Sequence, residues 1–372
     1  MSTLLHIAID VRDLKIAATG TKTYLVELIN ALKKKPDCKI ILLNSAWPTY
    51  WGHSLIGKTY EHISFFIWKQ ITLPVKTWIS GANVLICTDY YVPLIKLHAK
   101  HIVVFHDALF FDHPAYYNSA WLKLFKNIAV PAAKKADLIV CPSQYSKDRI
   151  IHYLDFKEEK IKVIYQGAKT LHEEFYSDKL KGVFEMIDNS QYILHVGVLE
   201  KRKNIPFLIK NAASFLKEKN YKLILVGKQN PKINNNDLPE IKKTIEDLQL
   251  GHHVLLTGYL EDKELPYLYK HALAYILPSS YEGFGIPILE AFAFKLPVLV
   301  SSSTSLPEIG GDAVLIFEQF NADDFTAKLN TIASDQSIRK ELVAKGVKRL
   351  EQFNWNTFAS TYIETIKQIT AN

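Results

Sequence analysis

Short apolar runs, separated by segments of helical character, recur along the whole chain and constrain its fold more than any other feature. Twelve such runs lie at positions 5–10, 39–44, 84–87, 102–105, 138–142, 161–165, 192–196, 222–226, 254–256, 274–277, 298–300 and 313–316. They are mostly β-branched and do not alternate with polar residues, which is typical of parallel strands covered on both faces of a sheet. Two alternating β/α arrays of similar size predict an α/β protein with two doubly wound, Rossmann-like domains.

The boundary between the domains is predicted in a polar, irregular stretch from Thr170 to Ser190. We expect an N-terminal domain over residues 1–170 and a second domain over residues 171–352, with a C-terminal helix in 353–372 that packs back on the first domain. Ligands of open α/β sheets bind beyond the carboxyl ends of the strands. Two such domains facing across a cleft would therefore place the segments after the strands around a ligand.

The stretch SSYEGFGIPILEAFAFKLPVLVSS places two glutamates, Glu282 and Glu290, in otherwise apolar surroundings. Its pattern predicts a strand, a glycine-rich turn, a helix that begins near Pro287 and another strand, because proline suits the first turn of a helix. Gly283 and Gly285 would let the backbone approach a ligand, and the free N–H groups of the helix start attract an anion.

Glu290 adds a second requirement, because a carboxylate repels phosphate but accepts hydrogen bonds from paired hydroxyl groups. A ligand that carries both phosphate and several hydroxyls is a sugar nucleotide. Taken alone, Glu290 is equally consistent with a carboxylate that stabilises the helix dipole and binds no ligand.

Two further pairs of polar residues follow predicted strands. His106 directly follows the fourth run, where a histidine either contacts a ligand or is a hydrogen-bonded structural residue, and Asp107 either orients its ring or caps the next segment. Gly197 ends the first run of the second half, and Arg202 and Lys203 precede an amphipathic helix. Two cations at such a junction suit a diphosphate, although a solvated surface pair remains an alternative.

Two turns carry weaker signals. Gly20, beside Lys22, precedes an amphipathic helix and is slight support for a phosphate-binding loop. The tight turn Gly258-Tyr259-Leu260 follows a strand of the second half and would offer backbone groups to the edge of a base.

Composition excludes several classes of protein. Apolar residues make up 48% and charged residues 22% of the chain, which excludes disorder. Cys38, Cys87 and Cys141 lie in or beside predicted strands without metal-ligand spacing, so we expect reduced core residues of a cytosolic protein. We expect no signal peptide, because the first residues run directly into a strand, and no apolar run reaches the roughly 18 residues of a membrane-spanning helix.

The net charge of +7 is unevenly distributed. Residues 1–170 carry 22 basic and 13 acidic residues, a net of +9, so the remainder has a net charge of −2. Such a basic half predicts attraction to anionic substrates or peripheral contact with an anionic membrane face, while no nucleic-acid-binding motif is present. Contact with a membrane is favoured by Lys33-Lys34-Lys35, by the aromatic segment 47–51 and by the stretch HISFFIWKQITLPVKTWI. The lysines would equally suit the C-terminus of a helix, and the apolar stretch would equally suit a buried core.

With these motifs in this order, the chain resembles the retaining glycosyltransferases of family four, which have the fold called GT-B. The resemblance is nearly full length. It is carried by IAIDVRDL followed by TGTKTYLVEL, and by IWKQITLPV, VFHDALFFDHPAYY, KKADLIVCPSQYSKDRI, VIYQGA, HVGVLEKRKN, TGYLEDKEL, EGFGIPILEAFAFKLPV, SLPEIGGDAV and FNWNTFASTY.

The resemblance implies roles for the residues of the glycine-rich turn. Glu290 would bind the ribose hydroxyls of the nucleotide, and Glu282 would lie at the donor sugar. The backbone around Phe284, Gly285 and Ile286 would lie near the sugar and the phosphates.

The resemblance also implies that Arg202 and Lys203 neutralise the diphosphate and that His106 lies at the donor sugar, close to the reacting centre. Two departures from the family pattern bear on this. Many members have a second glycine and a basic residue in the first loop, where this chain reads Gly20-Thr21-Lys22-Thr23. Many also have an arginine after the glycine that matches Gly197, where this chain has Val198, so Arg202 would have to supply that charge.

The function implied is retaining transfer of a hexosyl unit from a nucleoside-diphosphate sugar, GDP-mannose or a UDP-sugar, to a glycan or lipid-linked acceptor, as in bacterial polysaccharide assembly. We expect front-face attack by the acceptor hydroxyl, since no carboxylate is an obvious nucleophile. We expect no metal or cofactor, since there is no Asp-x-Asp signature and two cations already meet the phosphates. The alternatives are a nucleotide-sugar epimerase or hydrolase on the same fold, and a non-catalytic sugar-nucleotide-binding subunit.

Overall fold

The structure is a computed structural model that describes residues 4–16, 20–46, 55–171, 175–228 and 235–371. The chain divides into two compact units. The first unit comprises Met1–Gln166 together with Asn354–Asn372, and the second unit comprises Gly167–Phe353. The chain thus passes from the first unit to the second after Gln166 and returns to the first after Phe353.

Twelve strands occur within the described residues, and each predicted apolar run overlaps one of them. The strands are β1 (Leu5–Asp10), β2 (Cys38–Leu43), β3 (Val84–Cys87), β4 (Lys100–Val104), β5 (Leu138–Cys141), β6 (Ile161–Val163), β7 (Tyr192–Val196), β8 (Lys222–Val226), β9 (Val254–Gly258), β10 (Ala274–Leu277), β11 (Val298–Ser301) and β12 (Leu315–Phe317).

Helices connect these strands. They are α1 (Gly20–Lys33), α2 (Leu55–Ile67), α3 (Leu73–Ile79), α4 (Leu109–Asp112), α5 (Ser119–Leu124), α6 (Val130–Lys135), α7 (Gln144–Leu154), α8 (Asp178–Ile187), α9 (Ile205–Lys219), α10 (Leu238–Asp247), α11 (Leu265–His271), α12 (Ile286–Ala293), α13 (Leu306–Gly310), α14 (Ala322–Ser334), α15 (Gln336–Leu350) and α16 (Trp355–Ala371). A π-helical turn, Trp68–Thr72, joins α2 to α3, and another, Phe125–Ala129, joins α5 to α6. Short 3-10 turns lie at Arg12–Lys15, Pro114–Tyr116, Glu158–Lys160, Lys201–Lys203 and Gly311–Ala313.

The first unit has a six-stranded parallel sheet of order β2-β1-β3-β4-β5-β6. Helices α1 and α16 cover one face, where Tyr24 and Tyr362 are both buried and their hydroxyl oxygens lie 2.6 Å apart. Helix α3, the turn before it, α6 and α7 cover the other face, which Trp68 and Phe125 fill. Both faces are therefore buried, as the continuous apolar runs predict.

The second unit has a six-stranded parallel sheet of order β12-β11-β10-β7-β8-β9. Helices α8, α11, α12 and α13 pack on one face, and α9, α10 and α14 pack on the other. Two parallel sheets, each covered on both faces, confirm the predicted pair of doubly wound domains.

Some local predictions need correction. Gly20 is the first residue of α1 and not part of a turn before it, and residues 17–19 lie outside the described ranges. The aromatic segment 47–51 also lies outside the described residues. Cys87 and Cys141 are buried, whereas Cys38 is half-exposed, and all three are free thiols. Among the residues described, no helix is both long and apolar enough to cross a bilayer.

Candidate active site

The connections after β7 and β10 carry most of the predicted site residues of the second unit. These two strands are hydrogen-bonded neighbours, so their carboxyl ends lie side by side. The chain leaves β7 through Gly197 and the 3-10 turn Lys201–Lys203 before α9, and it leaves β10 through the glycine-rich turn before α12. Residues that are far apart in sequence therefore meet at one edge of the sheet.

Glu282 joins the two connections through its carboxylate. Its Oε1 accepts hydrogen bonds from Lys203 Nζ at 2.5 Å and Ser279 Oγ at 2.7 Å. Its Oε2 accepts one from Arg202 Nη1 at 2.8 Å, and Arg202 Nε in turn donates to Glu200 Oε2 at 2.9 Å. Arg202, Lys203 and Glu282 thus form one network, in which Lys203 and Glu282 are buried and Arg202 is partly exposed.

The charges of this network offset one another. Burial by itself would raise the pKa of Glu282, but Lys203 and Arg202 outweigh it and lower the pKa to about 2. Burial lowers the pKa of Lys203, and Glu282 opposes that shift. With Glu200, Arg202, Lys203 and Glu282 all ionised, two negative and two positive charges sum to zero, so the cations are held by carboxylates before any diphosphate arrives.

His195, within β7, lies beside this network and was not predicted as a site residue. Its side chain is fully buried, and its Nδ1 lies 2.9 Å from the carbonyl oxygen of Ile276, so Nδ1 carries the proton. Within the described part of the chain, Nε2 has no hydrogen-bond partner. Burial and the neighbouring Lys203 lower the pKa of His195 to about 4, so the ring is neutral at pH 7.

Gly197 leaves a small space next to this ring. A Cβ atom at this position would lie 3.3 Å from His195 Nε2 and 3.6 Å from Lys203 Nζ. A side chain here would therefore fill the space between an unused acceptor and a cation, which explains the preference for glycine at the exit from β7.

The glycine-rich turn before α12 combines a glycine of left-handed conformation with a buried aromatic side chain. Gly285 has a φ of 111°, a conformation that favours glycine, and a Cβ there would also crowd the Leu306 side chain at 3.1 Å. Phe284 is buried and packs edge-on against Phe353. Ile286 is half-buried. Main-chain contact of Phe284, Gly285 and Ile286 with a ligand stays a prediction.

Glu290 is the fifth residue of α12. It therefore lies about one turn after the helix N-terminus, where an anion would bind. Its side chain is buried, and burial raises its pKa. Tyr269 donates its hydroxyl to Oε2 at 2.8 Å. No residue that the structure describes donates to Oε1, so this oxygen retains acceptor capacity for a hydroxyl group.

Gly258 is the last residue of β9, and Tyr259 and Leu260 follow it. Gly258 has a φ of 68°, Leu260 is buried, and Tyr259 is exposed. Lys228, which follows β8, places its Nζ 4.1 Å from the centre of the Tyr259 ring, a cation–π contact. The turn is therefore held from a neighbouring connection.

His106, in the first unit, follows β4 and Phe105. Its Nε2 donates to the carbonyl oxygen of Thr88 at 2.8 Å, and its ring contacts Tyr24 and Tyr90 edge-on. Burial lowers the pKa of His106 to about 4, so the imidazole is neutral at pH 7 with Nδ1 as an acceptor. Asp107 caps the next segment by accepting from Leu109 N at 3.1 Å.

Gly20 has an ordinary environment by comparison. It is exposed at the start of α1, and a Cβ at this position would meet nothing within 4 Å. The fold of the described residues therefore does not itself require glycine there.

Several residues of the site left little trace in the sequence. Ser279 and Tyr269 contact the two glutamates, yet no spacing marks them. His195 did leave a signal, since a histidine is unusual in the middle of the otherwise apolar strand YILHV.

Two known families match most of the chain. Residues 18–170 match the family described as Glycosyltransferase Family 4, and residues 177–349 match the family described as Glycosyl transferases group 1. The two matches fall on the first and second units respectively.

Individual proteins are similar at lower levels of identity. O-antigen chain mannosyltransferase B of Escherichia coli is 28% identical over 283 residues, which cover 75% of this chain and 72% of that protein. O-antigen chain mannosyltransferase RfbU of Salmonella typhimurium is 26% identical over 311 residues, 79% of this chain and 81% of that protein. Sucrose-phosphate synthase from Thermosynechococcus elongatus superposes with a TM-score of 0.77 over 99% of both chains, at 18% identity, which shows the fold alone.

Two family matches that together span both units, a shared architecture over the full length, and two cations bridged by a carboxylate at the strand ends lead to one conclusion. The chain belongs to the glycosyltransferases of family four, has the GT-B fold and is a glycosyltransferase.

Proposed function

We propose that the protein transfers a mannosyl unit from GDP-mannose, with retention of anomeric configuration, to a glycan or lipid-linked acceptor in polysaccharide assembly. The observation that carries the proposal is the largely buried network in which Arg202, Lys203 and Glu282 converge at the ends of β7 and β10. The O-antigen mannosyltransferases of two bacteria are similar to this chain, which supports mannose. A UDP-sugar is the alternative donor.

The chain's own groups suit the departure of a diphosphate. Negative charge develops on the leaving oxygen as the bond to the sugar breaks, and Arg202, Lys203 and the N–H groups at the start of α12 would stabilise it. Glu282 would then share its two cations with the phosphates while facing the donor sugar. Glu290 would accept hydrogen bonds from the ribose through the oxygen that Tyr269 leaves available.

The transfer itself balances without a protein nucleophile. The acceptor oxygen forms a bond to the anomeric carbon on the face from which the diphosphate departs, and the proton of the acceptor hydroxyl passes to the leaving phosphate oxygen. A neutral His106 would face the donor sugar as a hydrogen-bonding group. We propose that neither a metal nor a cofactor takes part, so turnover should persist in a chelator.

The location of the protein follows from the acceptor proposed for it. A lipid-linked acceptor would be presented at the cytoplasmic face of a membrane, and the positive first half of the chain would favour peripheral contact with that face. We therefore place the enzyme in the cytoplasm, with reversible attachment to the membrane.

Two measurements test the proposal. Thermal unfolding with GDP, UDP, ADP and TDP identifies the base, since a ligand at about 100 times its Kd adds about 2.7 kcal/mol to stability. Release of the nucleoside diphosphate from GDP-mannose is then followed with and without a membrane extract that supplies acceptor. Acceptor-dependent release and labelled glycan support a transferase. Release that ignores acceptor indicates a hydrolase, a change of sugar without release indicates an epimerase, and binding without any turnover indicates a non-catalytic subunit.

A further inference from the structure

The helix formed by α2, the π-turn and α3 has an unusual outer surface. Between positions 59 and 79, nine residues are exposed, and six of them have large apolar side chains: Ile63, Phe66, Ile71, Val75, Trp78 and Ile79. Trp78 and Ile79 are 60% and 73% exposed. The remaining three exposed residues, Thr59, His62 and Lys76, include no carboxylate. Contiguous exposed apolar side chains of this size mark an interaction surface in a water-soluble fold.

The buried side of the same helix carries the charge instead. Lys69 is 1% exposed and donates to Asp10 Oδ2 and Asp89 Oδ1, both at 2.6 Å. Trp68 Nε1 also donates to Asp10 Oδ1, at 3.1 Å. A surface helix normally turns its apolar side inward and its polar side to water. Here the ionic side is fixed inside, so the helix cannot rotate to hide its apolar surface without breaking a buried ion network.

The π-turn Trp68–Thr72 keeps the apolar residues on one side. A π-turn takes about one residue more than an α-helical turn, so positions after it are shifted back around the axis. Ile71, Val75 and Trp78 consequently continue the line that Ile63 and Phe66 begin. We call these six apolar residues the α2–α3 stripe.

Cations lie on the same face of the sheet. Helices α5 and α6, with the π-turn between them, pack into the same apolar core as Trp68 and Leu73. Their outer side carries four exposed lysines, Lys123, Lys126, Lys134 and Lys135. No acidic residue occurs in the sequence between positions 113 and 136. An apolar line and a group of lysines on the same face of the sheet are the combination that binds an anionic bilayer.

We propose that the α2–α3 stripe and the four lysines of α5 and α6 form the surface through which the protein docks on an anionic lipid bilayer. The stripe enters the region between headgroups and acyl chains, while the lysines contact anionic headgroups. The proposal rests on the proposed function in that a lipid-linked acceptor requires the enzyme at a membrane. A second copy of the chain is a poorer occupant, because symmetric contact of two such surfaces would bring like-charged lysines together.

Vesicle co-sedimentation of the full-length protein tests this surface. Vesicles of phosphatidylglycerol and phosphatidylcholine in equal parts are compared with pure phosphatidylcholine. Salt is set at about 0.1 M and about 1 M, over which the screening length falls from about 10 to about 3 Å. The wild type should bind the anionic vesicles and lose most of that binding at high salt.

Two sets of variants separate the apolar and cationic contributions. The double variant Trp78→Glu, Ile79→Glu should lower the partition coefficient at least about tenfold, because it removes two large apolar side chains from the bilayer and adds negative charge. Phe320→Glu, which changes an apolar residue of the second unit that is 62% exposed, is the matched control and should bind as the wild type does.

The cationic set replaces Lys123, Lys126, Lys134 and Lys135 by glutamine. Binding should fall about fivefold for each lysine removed, and its salt dependence should largely disappear. The control with the same change of net charge replaces four exposed lysines of the second unit, Lys217, Lys219, Lys242 and Lys340. All substituted side chains are exposed, so thermal unfolding should stay close to that of the wild type.

The outcomes are distinguishable. Absence of wild-type binding at low salt, or equal losses in the variants and their controls, overturns the docking surface. The proposal is also overturned if the wild type binds no vesicles and sediments as a dimer while the stripe variant sediments as a monomer. That result would assign the stripe to contact with a second copy. Release of the nucleoside diphosphate from GDP-mannose is measured in parallel, with and without the membrane extract that supplies acceptor. If a wild type that binds vesicles shows no acceptor-dependent release, the proposed function fails and the docking surface stands.

Discussion

Replacing Glu282 by glutamine should tighten the binding of the nucleoside diphosphate while it slows transfer. In the unliganded site this carboxylate holds both Lys203 Nζ and Arg202 Nη1, so a diphosphate must compete with it for the same two cations. Glutamine preserves the size of the side chain and removes its negative charge. The site then changes from a net charge of zero to +1.

The structure sets the scale of the effect. Lys203 and Arg202 lower the pKa of Glu282 from 4.5 to about 2 against the opposing effect of burial. That shift corresponds to about 3 kcal/mol of interaction between the carboxylate and its surroundings. Only part of this is released to a diphosphate, because Arg202 keeps Glu200 as a partner. We therefore expect the Kd of the nucleoside diphosphate to fall about tenfold, and kcat to fall by about a hundredfold because contact with the donor sugar is weakened.

Isothermal titration with the nucleoside diphosphate, alongside steady-state kinetics, measures both quantities. Glu240→Gln, which changes an exposed carboxylate on α10, is the matched control and should leave both unchanged. Weaker diphosphate binding in Glu282→Gln, with an unchanged thermal unfolding temperature, would refute the competition between carboxylate and phosphate.

Three other predictions concern the same chemistry. Lys203→Ala should lower kcat about a hundredfold and change KM for the donor much less. If only KM changed, Lys203 would be a binding residue and would not assist the chemical step. Glu290→Ala should raise the Kd for the nucleoside diphosphate at least about tenfold with the fold intact. Tyr269→Phe removes only the hydroxyl that orients Glu290 and should raise this Kd less. Unaltered affinity in Glu290→Ala would contradict the ribose contact. Because burial lowers the pKa of His106 from 6.5 to about 4, its stabilising contribution is complete above pH 6.5 and is lost as the pH falls toward 4. Unfolding free energies of wild type and His106→Gln should thus converge over that range, and parallel pH profiles would argue against a neutral buried ring.

The strands were predictable because strands buried on both faces leave continuous apolar runs that need no knowledge of their partners. β1, β3, β7, β8 and β10 have the bounds expected from the sequence. The start of β12 was misplaced, since a 3-10 turn ends at Ala313 and the strand begins at Leu315. Residue type and position after a strand were likewise enough to nominate Arg202, Lys203 and Glu282.

Their connection was not predictable, because it depends on the order of strands in the sheet. β7 and β10 are neighbours in space, although β8 and β9 lie between them in sequence. The same limit applies to Lys69. Lys69 lies within a mostly apolar segment, yet the structure places the lysine inside and leaves Ile71 and Val75 outside. Its partners Asp10 and Asp89 end or follow strands far away along the chain.

Helix α16 has a consequence for how the protein is made. The first unit is discontinuous: α16 supplies Phe358, Tyr362 and Ile366 to the core over one face of its sheet, next to α1. On the ribosome, all of the second unit is synthesised before this helix appears. The second unit can thus fold while the first still has one apolar face of its sheet partly uncovered, and the first unit needs protection from aggregation until residues 355–371 emerge. Removal of α16 would accordingly harm the first unit and spare the second.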